Sequence, residues 1–139
     1  HLDDNIKKAV LMHHEREDGS GYPLGLRAHS TNLYSKIISV ADVYDALTSE
    51  RVYKKRITPF ETFHEIEKIG YSHFDTRILL TFTRNISNYY IGADVRMNTG
   101  ETGRVVYIAP HSITRPVVLV GNVYIDLSTN PDYSIAEML

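Results

Sequence analysis

The hydrophobic period of this chain changes once, near residue 89, and that change limits the folds open to it. Before it, apolar residues recur at helical spacing and predict helices at about 3–14, 33–49, 58–69 and 75–86. After it, short alternating runs predict strands at 94–97, 104–108, 116–120 and 123–127. We therefore expect an α+β protein, with a helical part over residues 1–88 and a small antiparallel β part over 89–139.

Local signals give some of the element ends. Thr58-Pro59-Phe60-Glu61 has the pattern of a capping box with proline in the first helical position, and Gly70 is expected to end that helix. Gly121-Asn122 separates two apolar runs and predicts a two-residue hairpin turn. Ser134, with Glu137 three residues later, predicts a short final helix.

Composition excludes several classes of site. The chain has no cysteine, so a transition metal has to be held by histidine nitrogen and carboxylate oxygen. Fifteen Lys and Arg against 17 Asp and Glu give a net charge of −2, which argues against a globally basic DNA- or RNA-binding protein. No apolar run approaches the roughly 18 residues of a membrane span. The acidic N-terminal stretch does not have the pattern of a signal peptide.

Two adjacent histidines and one aspartate are candidate metal ligands. Neighbouring helical positions point about 100° apart, so His13 and His14 suit separate ions at a helix end rather than one ion in its middle. The alternative is a chance surface pair, or one hydrogen-bonded core histidine. Asp42 lies in the apolar context Val40-Ala41-Asp42-Val43, where a buried carboxylate needs a partner or a metal. Asp45 is interpreted as a capping or surface residue.

Two further stretches are candidates for contact with a ligand. Arg51 and Lys54 belong to a run with four cations in six residues, which is either a phosphate clamp or a solvated basic face. The stretch Gly21-Tyr22-Pro23 could approach a ligand closely and offer an aromatic face, although alone it is merely a turn. The other histidines are interpreted as structural or exposed, without matching partners: His29, His64, His73 and His111.

Taken together, these stretches resemble the HD-GYP domain, a subgroup of the HD metal-dependent phosphohydrolases. Residues 13–23, His-His-Glu-Arg-Glu-Asp-Gly-Ser-Gly-Tyr-Pro, resemble its namesake motif. Residues 37–54 are similar to the segment that follows the motif, and Gly70 with Phe74-Asp75 resembles the approach to the last helix. The resemblance covers about residues 5–86 and implies a helical bundle fragment of an HD-type domain.

Members of this family hydrolyse cyclic di-GMP with a bi- or trinuclear iron or manganese centre. The resemblance implies a linear dinucleotide and then GMP as products, and cyclic di-GMP as the ligand. Together with the missing targeting signal, this substrate class implies a cytoplasmic location. The resemblance assigns metal binding to His13, His14 and Asp42, and contact with the substrate to Arg51, Lys54, Gly21, Tyr22 and Pro23.

The sequence departs from the family pattern before the histidine pair. The family's His-Asp pair, a nearby lysine and further His and Glu ligands lie upstream, but only twelve residues precede His13 here, and they contain no His-Asp dipeptide. We therefore expect a C-terminal part of the domain, with an incomplete metal centre and no activity of its own. The alternative is a non-catalytic module that binds a cyclic dinucleotide or a protein.

Two expectations concern surfaces. Missing upstream helices would leave apolar faces exposed, which predicts a homodimer that covers them. The β part resembles a short C-terminal extension of some family members, with no residues that indicate chemistry. An HD-type hydrolase acting on another nucleotide is disfavoured, because Gly21-Tyr22-Pro23 is present together with Arg51 and Lys54.

Overall fold

A computed structural model describes residues 2–49 and 57–139 and confirms the α+β class. The helices are α1 (Asp4–Met12), α2 (Leu33–Thr48), α3 (Pro59–His73) and α4 (Thr76–Asn88), with a 3₁₀ turn at Ala28–Ser30. The strands are β1 (Asp94–Met97), β2 (Thr102–Tyr107), β3 (Val117–Val120), β4 (Val123–Asp126) and β5 (Ile135–Met138). Most of the predicted elements agree with these bounds to within two residues.

The chain groups into two compact units, and the first consists of His1–Leu47 and Glu65–Phe82. Its core is a buried cluster to which α2, α3 and α4 contribute: Val40, Ile66, Phe74 and Leu79. Side chains of α2 and α4 pack around that cluster: Val43, Tyr44, Leu47, Ile78 and Phe82. The first unit thus fixes α2, which carries Asp42. The predicted domain boundary at residue 89 stays a prediction.

Gly70 does not end α3, so that prediction is wrong. The helix continues to His73, and the Phe74 N–H donates to the Gly70 carbonyl at 2.9 Å. A methyl group on Gly70 would collide with the buried side chain of Leu79 from α4. Glycine here therefore leaves room for the Leu79 side chain and does not form a left-handed C-cap.

The second unit consists of Thr48–His64 and Thr83–Leu139. The capping box is confirmed, since the Thr58 N–H donates to Glu61 at 2.8 Å and the Glu61 N–H donates to the Thr58 hydroxyl at 3.2 Å. Behind this cap, the rings of Phe60, Phe63 and Tyr90 pack edge to face. Phe60 and Phe63 at the start of α3 are thus buried.

The five strands form one antiparallel sheet in the order β4-β3-β2-β1-β5. One face is apolar and buried, as the alternation predicts, and it carries Val95, Met97, Val105 and Val118. The hairpin at Gly121-Asn122 is confirmed by the pairing of Val120 with Val123.

The predicted final helix after Ser134 is wrong, because this segment is strand β5. The Asn98 N–H donates to the Ser134 carbonyl, and the Ser134 N–H donates to the Asn98 side chain, both at 2.9 Å. The Arg115 guanidinium donates to the carbonyls of Leu127, Asn130 and Tyr133 in the preceding connection. Pairing with β1 thus overrides the local capping pattern.

Candidate metal centre and its signature loop

The two adjacent histidines lie where α1 ends. His13 is the C-cap of this helix, and its Nδ1 lies 2.7 Å from the Val10 carbonyl oxygen. Because a carbonyl oxygen only accepts hydrogen bonds, Nδ1 carries the proton and the lone pair is on Nε2. A hydrogen bond of this kind fixes the tautomer and ring orientation in many metal-ligating histidines. His13 therefore offers Nε2 to a ligand.

The imidazole of His14 contacts two other rings. Its centroid is 4.0 Å from that of His13, and it stacks on Tyr22 at 4.7 Å with an interplanar angle of 25°. Its Nδ1 lies 3.9 Å from Oδ2 of Asp42. The ring is thus in contact with two other rings while one of its nitrogens faces a carboxylate.

Asp42 is not buried, contrary to the expectation from its apolar neighbours. Its side chain is 46% exposed, whereas Val40 is fully buried. Two helical positions differ by about 200°, so these residues lie on nearly opposite faces of α2. Val40 therefore lies on the side of the helix that faces the core. Asp42 lies on the open side and needs no partner to compensate burial.

The signature loop, residues 15–26, folds back on the segment that follows α1. The Tyr22 N–H donates to the His14 carbonyl at 3.3 Å. A methyl group on Gly21 would collide with the backbone of residues 14–16, so only glycine allows this approach. The Tyr22–Pro23 peptide bond is cis, and the Tyr22 side chain is 60% exposed. The structure thus brings Gly21 and Tyr22 against His14 and leaves the tyrosine accessible.

Sequence reasoning missed the role of Glu15, which lies beside the histidine pair. Glu15 is only 4% exposed, and its carboxylate accepts the N–H groups of Leu24 at 2.6 Å and Leu26 at 2.8 Å. A buried carboxylate is stable only when its oxygens are satisfied, and these two backbone donors do so. An acidic residue directly between the histidine pair and a glycine-rich loop is the signal that could have found it.

Sequence reasoning also missed an ionic contact between the loop, α2 and α4. The Lys36 ammonium lies 3.1 Å from the Glu17 carboxylate and 3.9 Å from that of Asp75, and all three side chains are mostly buried. Asp75 also accepts the backbone N–H groups of Arg77 and Ile78 at the start of α4. One lysine therefore joins the loop to a helix N-terminus.

His73 has a partner, so the expectation that it lacks one is wrong. Its Nε2 lies 3.6 Å from the Asp18 carboxylate. Hydrogen bonds from the hydroxyl and the backbone N–H of Ser20 lower the pKa of Asp18, and His73 lowers it further. The sequence separation of 55 residues between His73 and Asp18 hid this contact.

The donors that the described residues offer fit part of a transition-metal centre. Two imidazoles and one carboxylate match the ligands that iron and manganese accept. Within 2–49 and 57–139, however, no three His, Asp or Glu side chains converge on one point. Arg51 and Lys54 lie outside the described residues. Pro23 lies next to Tyr22 in the loop.

Helices long and apolar enough to cross a membrane are absent from the described residues. A family model described as an HD domain matches residues 1–78. A cyclic di-GMP phosphodiesterase of Pseudomonas aeruginosa is 38% identical over 115 residues, which cover 83% of this chain and 28% of that protein. Cyclic di-GMP phosphodiesterase PdeB of Borreliella burgdorferi is 29% identical over 117 residues, which cover 84% of this chain and 31% of that protein.

A third relative acts on a different cyclic dinucleotide. The 3'3'-cGAMP-specific phosphodiesterase 1 of Vibrio cholerae is 38% identical over 79 residues, 56% of this chain and 18% of that protein. The chain thus spans less than a third of the length of these three curated relatives. The family model covers more than half of the chain and includes the histidine pair and the signature loop. The chain therefore belongs to the HD domain family, as a domain of the HD-GYP type.

Proposed function

We propose that this chain supplies the C-terminal half of the metal centre, together with the nucleotide-binding loop, of a phosphodiesterase that hydrolyses cyclic di-GMP. The observation that carries the proposal is the His14 ring, stacked on an exposed tyrosine and facing Asp42. Relatives named as phosphodiesterases of cyclic di-GMP and 3'3'-cGAMP support the substrate class. Cyclic di-GMP is preferred in this proposal because two of the three relatives described above are named for it.

In this proposal, the ligands of a bi- or trinuclear iron or manganese centre include His13, His14 and Asp42. Such ions polarise a phosphoryl oxygen as Lewis acids when they are bound. His13 offers the Nε2 lone pair that its hydrogen bond to Val10 leaves available. Asp42 offers anionic oxygen from an exposed helix face, so it can reach an ion without a cost of burial.

The substrate would lie along the signature loop. Because the Tyr22 side chain is 60% exposed, its outer face is available to stack on a guanine base. Gly21 and Pro23 complete this edge of the site. Arg51 and Lys54 would stabilise charge on the phosphate, with arginine as a bidentate fork and lysine as a point charge.

The second candidate function is a non-catalytic module that binds a cyclic dinucleotide or a protein. One observation favours it: the Tyr22 side chain is 60% exposed and offers a stacking face that a nucleotide can use without a metal. Such a module would keep the stacking face of Tyr22 and would not turn the nucleotide over. Binding without hydrolysis therefore separates the two candidates.

The test compares the 139-residue chain alone with the chain extended by any residues that its gene encodes before His1. Both are incubated with cyclic di-GMP or 3'3'-cGAMP and with ferrous iron or manganese, and the products are separated by chromatography. We expect linear dinucleotide and GMP from the extended protein only, faster from cyclic di-GMP. His13→Ala with His14→Ala should abolish both products. Absence of turnover in the folded extended protein with either metal would refute the enzyme and leave the binding module.

A cytoplasmic location and a homodimer belong to the same proposal. Apolar side chains on α1 and α2 are at least 40% exposed, among them Ile6, Val10, Leu33 and Ile37. A groove of about 690 Å³ in the first unit continues this surface between α2 and α4. Exposed apolar patches of this kind favour self-association. Light scattering should give the mass of two chains, and one chain at micromolar concentration would contradict the dimer.

A further inference from the structure

The side chain of Glu15 is the most buried charged group in the parts of the chain that the structure describes, at 4% exposure. Both carboxylate oxygens are used, one for the Leu24 N–H at 2.6 Å and one for the Leu26 N–H at 2.8 Å. Charge-assisted hydrogen bonds of this kind are stronger than neutral ones. The residue that follows His14 is thus tied directly to the backbone that follows Pro23.

This contact closes the signature loop at its base. The loop leaves the histidine pair at Glu15, passes through Gly21 and Tyr22, and returns to the same carboxylate at Leu24 and Leu26. Between these two ends, the Tyr22 N–H bonds the His14 carbonyl and the Tyr22 ring lies on the His14 ring. Closing the loop therefore sets where the tyrosine ring can lie.

We infer that Glu15 is a positioning residue for His14, acting through the stacked ring of Tyr22. Both oxygens of its carboxylate are taken by loop N–H groups, and these bonds hold the loop so that the Tyr22 ring covers the His14 ring while Nδ1 of His14 faces Asp42. The inference rests on the proposed function in one respect, which is that His14 is treated as a metal ligand.

Glu17 provides a matched comparison only two residues further along. It is also a mostly buried glutamate of the signature loop, but its carboxylate bonds the Lys36 ammonium instead of loop N–H groups. Glu17→Gln removes the same charge by the same chemical change. It should lower the free energy of unfolding without opening the loop beneath Tyr22.

The experiment is a Glu15→Gln substitution, followed by NMR of the histidine rings in the 139-residue chain and by titration with Mn²⁺ alone in the protein extended by the residues before His1. The amide group of glutamine points a donor at one of two backbone donors, so one hydrogen bond is lost. We expect the His14 ring signals to lose the ring-current shift from Tyr22. We also expect Mn²⁺ affinity to fall about 10- to 100-fold, as for other residues that orient a metal ligand.

A double-variant cycle tests whether Glu15 acts through Tyr22. Tyr22→Leu removes the ring, and Tyr22→Phe keeps it. If the inference is right, Glu15→Gln changes the His14 signals little once Leu is at position 22, and Tyr22→Phe leaves those signals nearly as in the parent. Additive effects of the Glu15 and Tyr22 substitutions would overturn it.

Two further outcomes decide the inference. Unchanged His14 signals in Glu15→Gln would overturn the inference, because the His14 ring would then not depend on Glu15. Equal changes in Glu17→Gln would overturn it too, because loss of any buried carboxylate in the loop would then have the same effect on His14. Should Glu15→Gln fail to fold, Glu15→Asp keeps both oxygens with a shorter reach, and an intermediate His14 shift is expected. Mn²⁺ that broadens no His14 signal in the protein extended by the residues before His1 would refute the metal ligand of the proposed function, while the ring shifts still decide the role of Glu15.

Discussion

The signature loop and the β-sheet are stabilised in opposite ways. In the loop, the buried carboxylate of Glu15 accepts hydrogen bonds from two backbone N–H groups. In the sheet, the exposed carboxylates of Asp94 and Glu137 pair with arginines on neighbouring strands, at 2.8 Å to Arg104 and at 3.1 Å to Arg96. The inner face of the sheet is apolar instead.

This difference predicts different responses to substitution. An apolar core tolerates shape changes as long as its volume is kept, so a substitution there changes stability more than geometry. The hydrogen bonds between a buried carboxylate and particular N–H groups cannot be replaced in this way, because another side chain does not place its acceptor atoms at the same positions. Small changes in the loop should therefore alter the geometry at His14.

The largest loss of stability is expected in the sheet. Met97 is 1% exposed on the inner face of β1, and Met97→Ala should lower the free energy of unfolding by about 2–5 kcal/mol. Urea unfolding measures this loss. Arg96→Ala is the control on the same strand, since its side chain is exposed and pairs with Glu137 at the surface. Equal losses for the two variants would contradict the comparison.

Gly21→Ala should lower the free energy of unfolding less than Met97→Ala does, but it should disturb the geometry around His14 more. The added methyl group meets the backbone of residues 14–16, which cannot rotate away, and overpacking of this kind costs about 1–3 kcal/mol. We expect loss of the stacking between His14 and Tyr22 in NMR spectra. Leu24→Ala is the control, because its side chain is exposed and its N–H is kept. Retained stacking in Gly21→Ala would contradict the close approach.

Lys36→Met should have a smaller effect that is confined to the contact between the loop and α4. It leaves the carboxylates of Glu17 and Asp75 without their ammonium partner, which costs about 1–2 kcal/mol for groups that are mostly but not fully buried. Lys68→Met is the matched control, because both side chains of its pair with Glu65 are about half exposed. The control should cost under about 0.5 kcal/mol. Thermal unfolding that does not separate the two would contradict the buried contact.

The order of helices and strands was predictable because periodicity reports which faces are buried. The two errors about helix ends share one physical cause, which is a contact with a residue outside the local pattern. Gly70 is the type of residue that ends a helix, but here it makes room for Leu79. Ser134 starts a capping pattern, but pairing with Asn98 gives a strand. Local patterns cannot record either partner.

The candidate site shows the same limit. The residue types of the histidine pair and the glycine loop pointed to a metal and a ligand, yet the burial of Glu15 and the partner of His73 depend on how the chain folds back. The prediction that Asp42 is buried is wrong because it treated the apolar neighbours of Asp42 as if they lay on the same face of α2. The metal and phosphate roles of the predicted site residues stay predictions, and Arg51 and Lys54 lie outside the described residues.

The smallest expected effect concerns two carboxylates, Asp94 and Asp18, whose pKa values are lowered for different reasons. Arg104 lowers the pKa of Asp94 mainly by a hydrogen bond and also by its charge, whereas two hydrogen bonds from Ser20 are the main cause for Asp18. A pKa lowered from 3.8 contributes stability above that pH, and this contribution is lost as the pH falls through the lower folded value. Asp94→Asn should therefore differ from the parent at neutral pH and converge with it in acid.

Salt should distinguish the two causes. Raising the salt from about 0.05 M to about 1 M shortens the Debye length to about 3 Å and screens an exposed ion pair, but it leaves in place the short hydrogen bonds that the uncharged Ser20 hydroxyl and backbone N–H donate to Asp18. In NMR titrations of the carboxyl signals, we expect the pKa of Asp94 to move back toward 3.8, while that of Asp18 moves less. An equal movement would mean that His73, rather than Ser20, holds the pKa of Asp18 down. The signature loop would then depend on ion pairing as the outer face of the sheet does, and the contrast between the two regions would fail at this residue.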